Sequence, residues 1–171
     1  YKVRPAPTAI PGCLETGTQS HEGMAGTLAA VDYFAWIGET MALDYHDHYR
    51  HFSGRRQFVH AAMDCLFDYE KTLAEKLLSG LQSLPGVRVH GITSPDAFER
   101  RVPTVSFSVD GLDPEKIAAD LASCNIFVWN GHMYAVEAAK ALEIYDSGGA
   151  VRVGPVHYNS VAEVETVLNA L

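Results

Sequence analysis

Between positions 55 and 84, apolar residues recur at steps of three and four: Phe58, Ala61, Ala62, Cys65, Leu66, Tyr69, Leu73, Leu77, Leu78 and Leu81. That spacing lines one stripe of a long helix, and Pro85-Gly86 stops it. A helix striped on one side must bury the stripe against a second layer. The following residues are built to form one. Val87-Arg88-Val89-His90 alternates like a strand, and within 102–109 Pro103, Val105, Phe107 and Val109 share one face, opposite Thr104, Ser106 and Ser108. Asp113-Pro114-Glu115 has the cap, proline and acid that begin a helix, here reaching Ser123. A short strand covered on both faces is expected over 126–129, broken by Gly131, then a weaker helix over 136–143 and a last strand over 150–154. Ser160-Val161-Ala162-Glu163 has capping-box spacing and opens a helix to Leu171. This alternation predicts an α/β (α+β) domain, a small mixed sheet with helices packed on it.

Upstream, Pro5, Pro7 and Pro11 keep the first twelve residues extended, and the chain opens at Tyr1 without methionine, as if entered in its middle. A polar turn over 15–23 feeds a helix over 24–37 in which Met24, Leu28, Val31, Phe34 and Ile37, with alanines between, leave almost no polar face. Such a helix is expected to be buried on most sides, capped by Thr18 or Ser20. Positions 38–54 read as a connection with a short helical turn. They hold Asp44, His46, Asp47, His48 and His51. His46 and His48 share a side only in an extended chain and His48 and His51 only on a helix, so no single conformation gathers three metal ligands.

The 171 residues suit one domain, or one domain with part of a neighbour. A formal charge of −8 without a basic cluster excludes a nucleic-acid surface, which needs gathered Lys and Arg. No apolar run is long enough for a membrane span. Cys13, Cys65 and Cys124 are odd in number and far apart, so neither a zinc ribbon nor a disulfide framework is expected, and a reducing cytoplasm is the predicted location.

Two segments can carry chemistry. In Glu15-Thr16-Gly17-Thr18, Gly17 lets backbone approach a ligand and Thr18 offers a hydroxyl and an amide at a helix start, where anions bind. The same residues also suit a plain capping turn. In the segment 148–159, Arg152 stands between two valines with glycines on both sides, an arrangement fit for bidentate carboxylate binding. A surface arginine on an edge strand would look the same.

The order ETGTQSHEG, then IFVWNGHMYA, then GGAVRVGPVHYNS resembles the C-terminal part of the class V aminotransferases, and more closely their cysteine-desulfurase-like subgroup, which are fold-type I pyridoxal-phosphate enzymes. The resemblance covers essentially the whole chain but less than half of such an enzyme. It implies that 1–54 is the end of the large cofactor-binding domain with its connection, and 55–171 the C-terminal small domain. It implies a homodimer with a shared active site, in which Thr18, beside Gly17, reaches the partner's pyridoxal phosphate. Arg152 would grip the carboxylate of a small amino-acid substrate, with His157, Tyr158 and Asn159 supporting the strand. Where persulfide-forming members carry a cysteine this chain has Tyr134, and where they carry an arginine it has Trp129. A phenol does not accept sulfur as a thiolate does.

The cofactor-anchoring lysine and the carboxylate facing the pyridine nitrogen are expected upstream. Lys2 is too close to Thr18; Lys71, Lys76 and Lys116 fall on amphipathic helices, and Lys140 near the Tyr134 loop. The chain alone therefore has no catalytic residue and would be inactive. The reaction stays open between C–S or other β-bond cleavage and transamination. Two other readings remain: a non-catalytic α/β dimerisation or regulatory module with a self-sufficient core, and a His-rich metal-binding protein. The enzyme reading predicts instead a large uncovered apolar surface.

Overall fold

The computed structural model describes residues 4–171, so Tyr1 and Lys2 lie outside the described residues. The chain divides into two compact units, Tyr1–Cys65 and Leu66–Leu171.

In the first unit, helix α1 (His21–Thr40) begins at Ser20, whose side chain accepts a hydrogen bond from the Gly23 amide. Of the two candidate caps, Ser20 is the one used. The helix forms over a longer span than expected, but its burial differs: Met24, Leu28, Val31, Tyr33 and Trp36 are exposed, and only Ile37 and Gly38 are buried. The apolar pattern asks for cover on most sides, and the described residues do not provide it. The connection forms a 3-10 turn over Leu43–Tyr49. Helix α2 (Gly54–Ser83) starts here and continues into the second unit.

The second unit contains β1 (Val87–His90), β2 (Val105–Val109), α3 (Pro114–Ser123), β3 (Trp129–Gly131), α4 (Val136–Ala141), β4 (Ala150–Val153) and α5 (Val161–Ala170). A 3-10 turn over Pro95–Arg100, not foreseen from the sequence, lies between β1 and β2. The sheet order is β1-β2-β4-β3. The sheet is antiparallel at each pairing rather than mixed. The physical reason is the last strand: β2-α3-β3 is a crossover between parallel strands, and β4 inserts between them, running against both.

One face of the sheet carries Val105, Phe107, Val151 and Val153, which pack with Leu73, Leu77, Leu78 and Leu81 of α2, Ile117 and Leu121 of α3, and Val164 of α5. The α2 stripe therefore finds the layer that its period demanded. On the other face, Ala150 packs with Ala139 of α4 and Ile144. The caps are as the sequence implied: Asp113 accepts from the Glu115 amide at 2.8 Å, and Ser160 and Glu163 form a reciprocal capping box.

The strand expected at 126–129 is displaced to Trp129–Gly131, and Gly131 belongs to it rather than ending it. Ile126 and Val128 pack against the core from an irregular segment, while Phe127 is 83% exposed. A close approach fixes the pairing of β3 with β4. A Cβ on Gly149, where φ is +93°, would stand 2.3 Å from the carbonyl carbon of Gly131. Among the described residues no helix is long and apolar enough to cross a membrane.

Candidate functional site

Alternation along β4 decides where Arg152 goes. Val151 and Val153 turn into the helix-covered core, so Arg152 emerges exposed on the opposite face. Its cross-strand neighbours are Ser106 on β2 and Trp129 on β3, and Ser106 in turn faces His90 on β1. The four residues form a row across the sheet. The Arg152 guanidinium carbon lies 5.9 Å from the centre of the Trp129 ring. His90 hydrogen-bonds Ser108 at 3.0 Å, and burial, reinforced by nearby Arg88, holds its pKa below the usual imidazole value.

Arg152, like Arg88 on β1, is an exposed strand cation with no acid paired to it among the described residues. By contrast Arg55 meets Asp32 at 3.1 Å, Lys76 meets Glu165 at 2.7 Å, Lys116 meets Asp120 at 2.6 Å and Lys140 meets Glu137 at 3.0 Å. A cavity of about 300 Å³, lined in part by Leu77, Cys124, Phe127, Val153 and Glu163, opens on the helix side of the sheet, away from Arg152.

The loop after β4 is tied to α2. Asn159 Oδ1 accepts from the Val156 amide at 2.9 Å, and Tyr69 donates its hydroxyl to the Asn159 carbonyl at 2.7 Å. Glu70 accepts from the His157 amide at 3.1 Å and lies 3.6 Å from its ring Nδ1. His157 and Asn159 thus brace the strand end, while Tyr158 is 78% exposed. Tyr69 and Glu70 were not legible as partners, since helical period places residues on a face without naming what they meet.

Beyond β3 the chain makes a tight turn in which Met133 and Tyr134 both adopt left-handed backbone conformations, with φ of +53° and +62°. Two consecutive non-glycine residues there are unusual. The Tyr134 side chain is 92% exposed. Behind it, Lys140 lies 5.7 Å from the Tyr145 ring centre and is held by Glu137.

In the first unit, Gly17 and Thr18 are exposed in the segment leading into α1. A Cβ on Gly17 would meet nothing within 4 Å, so packing within the described residues does not require glycine. Because Ser20 makes the cap, the Thr18 hydroxyl is not spent on it. The histidine-bearing turn is an aromatic cluster. His60 stacks between Tyr49 and Phe52, with ring centres 5.0 and 4.8 Å apart. Tyr49 donates to Asp64 at 2.9 Å, and that bond raises its pKa. Among the described residues, no three His, Cys, Asp or Glu side chains are placed to hold a metal ion.

The α/β domain of the second unit matches a known class of protein. The family model for aminotransferase class-V matches residues 57–167, more than half of the chain, and the chain belongs to that family. An aminotransferase-like protein of Gibberella zeae is 36% identical over 110 residues, covering 63% of this chain and 27% of its own length. A probable cysteine desulfurase of Pyrococcus abyssi is 29% identical, covering 96% of this chain and 33% of its own. Among solved structures, the apo cysteine desulfurase of Thermococcus onnurineus superposes with a TM-score of 0.58 at 34% identity, covering 68% of this chain and 27% of that one. The chain spans about a third of the length of the curated relatives it matches.

Proposed function

We propose that this chain is the C-terminal portion of a pyridoxal-phosphate enzyme that acts on a small amino acid, as a cysteine-desulfurase-like lyase or a class V aminotransferase. In this reading Arg152 binds the substrate carboxylate. The observation that carries it is the exposed strand guanidinium with no carboxylate paired to it among the described residues. A planar donor fork on a rigid strand matches a carboxylate in two parallel hydrogen bonds. The loop tied to Tyr69 and Glu70 keeps the strand end from shifting.

The residues present fit the edge of a cofactor site rather than its centre. Gly17 leaves open space, and Thr18 keeps a hydroxyl uncommitted to capping at the start of α1, where amides favour a phosphate. In a cytoplasmic homodimer they would serve the partner's cofactor. When bound, pyridoxal phosphate supplies an electron sink for the substrate carbanion. The anchoring lysine and the acid facing the pyridine nitrogen would lie in an upstream portion, a reading supported by the surface ion pairs that Lys76, Lys116 and Lys140 make on their helices. The uncovered apolar side chains of α1 favour this over a self-sufficient module, because they call for a further layer. With a phenol at 134, sulfur would not be relayed through that loop.

The test is intact mass and peptide mapping of the full-length protein after incubation with pyridoxal phosphate and borohydride. One adduct on a lysine outside these 171 residues is expected. No specific adduct, or one on Lys2, Lys71, Lys76, Lys116 or Lys140, would overturn the reading.

A further inference from the structure

We propose that Trp129 is a specificity-determining residue, its indole forming an apolar wall beside Arg152 that selects a monocarboxylate with an apolar substituent over one carrying a second acid. The inference rests on the reading of Arg152 as the carboxylate binder and goes further, to the rest of the ligand.

Three observations combine. Trp129 is directly opposite Arg152 in the antiparallel register, so both side chains leave the same face of the sheet. The ring centre lies 5.9 Å from the guanidinium carbon, close enough for one small ligand to touch both. The indole is still 54% exposed, an apolar surface on an edge strand that the described residues leave half uncovered.

A carboxylate on Arg152 therefore has two directions in which to send its substituent along the row. Toward β2 it meets Ser106 and then His90. Toward β3 it meets the indole, with no strand beyond among the described residues. An aromatic or aliphatic group laid on the indole covers apolar area on both partners and gains from ring contact. A second carboxylate there would lose water against an apolar ring, since among the described residues Arg88 stands on β1, two strands from β4, and Lys140 of α4 is already paired with Glu137. Trp129 thus separates ligands that Arg152 alone would bind alike.

The test uses the full-length protein with its cofactor, labelled with 5-fluorotryptophan, and three acids: propionate, 3-phenylpropionate and succinate. None has an amino group, so none reacts with the cofactor, and the readout is binding rather than turnover. The Trp129 fluorine resonance is identified by its absence in Trp129→Phe and followed during titration of the native protein, while affinities of the native protein and of every variant are measured by titration calorimetry. In the native protein 3-phenylpropionate should shift it and bind more tightly than propionate or succinate. Trp129→Ala should lower the preference for 3-phenylpropionate by roughly tenfold and leave propionate unchanged, whereas Trp129→Phe should keep most of it.

Unchanged preference in Trp129→Ala would overturn the inference, as would an equal loss for all three acids, which would mean that the indole only props the arginine. Arg152→Ala separates the two readings. If it leaves the affinities of all three acids unaltered, the carboxylate reading fails and this inference fails with it. If it weakens all three while Trp129→Ala changes nothing, only the inference falls.

Discussion

Replacing Gly149 with alanine should force β3 away from β4 and so pull Trp129 from Arg152. The new Cβ would stand 2.3 Å from the carbonyl carbon and 2.4 Å from the oxygen of Gly131. Carbon atoms pack at about 3.5–4 Å, so the overlap exceeds roughly 1 Å and falls on backbone, which cannot rotate aside. Overpacking of this kind costs about 1–3 kcal/mol. A side chain at a φ of +93° adds strain, about 1–2 kcal/mol. The combined loss is about 2–5 kcal/mol, a large part of the stability of an ordinary domain.

Gly111 provides the control. Its φ is +73°, yet a Cβ there would meet nothing within 4 Å. Gly111→Ala therefore suffers the strain alone, about 1–2 kcal/mol. Urea unfolding of both variants, followed by circular dichroism, measures the difference, and the fluorine resonance of Trp129 reports on β3. Gly149→Ala should be the less stable and should move that resonance in the folded protein. Equal losses, with the resonance unmoved, would refute the claim that this contact fixes the strand pair.

Arg101 donates to the carbonyls of Ile92, Val102 and Thr104, and burial lowers its pKa. Arg101→Met should cost about 2 kcal/mol in urea unfolding, because it leaves acceptors unmatched in the turn between β1 and β2. The capping box gives a pH dependence. Hydrogen bonds from the Ser160 amide and hydroxyl hold the Glu163 carboxyl below its usual range. With the folded-state pKa depressed, the unfolded chain takes up the proton first as pH falls. The stabilisation is therefore complete above the ordinary carboxylate range and disappears as pH drops through the folded value. Ser160→Ala should flatten that acid slope, measured as urea midpoints from neutral pH downward; an unchanged slope would count against it.

Helices were the legible part of this fold, since caps and stripes are local. Asp113-Pro114 and Ser160 with Glu163 mark where α3 and α5 begin, and the structure begins them there. The strand read at 126–129 was misplaced because an apolar run signals burial, and Ile126 and Val128, half-buried, pack against the core without being paired. Pairing is decided instead by the space at Gly131 and Gly149, which composition does not announce. The pattern of α1 likewise states that cover is needed without stating what gives it. The mixed sheet was expected from alternating helices and strands, a pattern that usually signals parallel neighbours but is silent on a strand inserting between two others.

The same distinction explains which half of the candidate site could be read. Alternation along a single strand suffices to put Arg152 on the face opposite Val151 and Val153, so its outward direction follows from three consecutive residues. What stands beside it does not. Trp129 is its neighbour only because β4, last in sequence, is third in the sheet, and because the Gly131–Gly149 approach sets the register. Moving that register by one residue would turn Trp129 to the helix side and leave Asn130 next to Arg152. A carboxylate-binding residue can thus be inferred from its own strand, whereas the residue that sorts one carboxylate from another is a product of topology. That is why the two require separate variants to test, and why Gly149, which touches no ligand in either reading, should still change which acid is preferred.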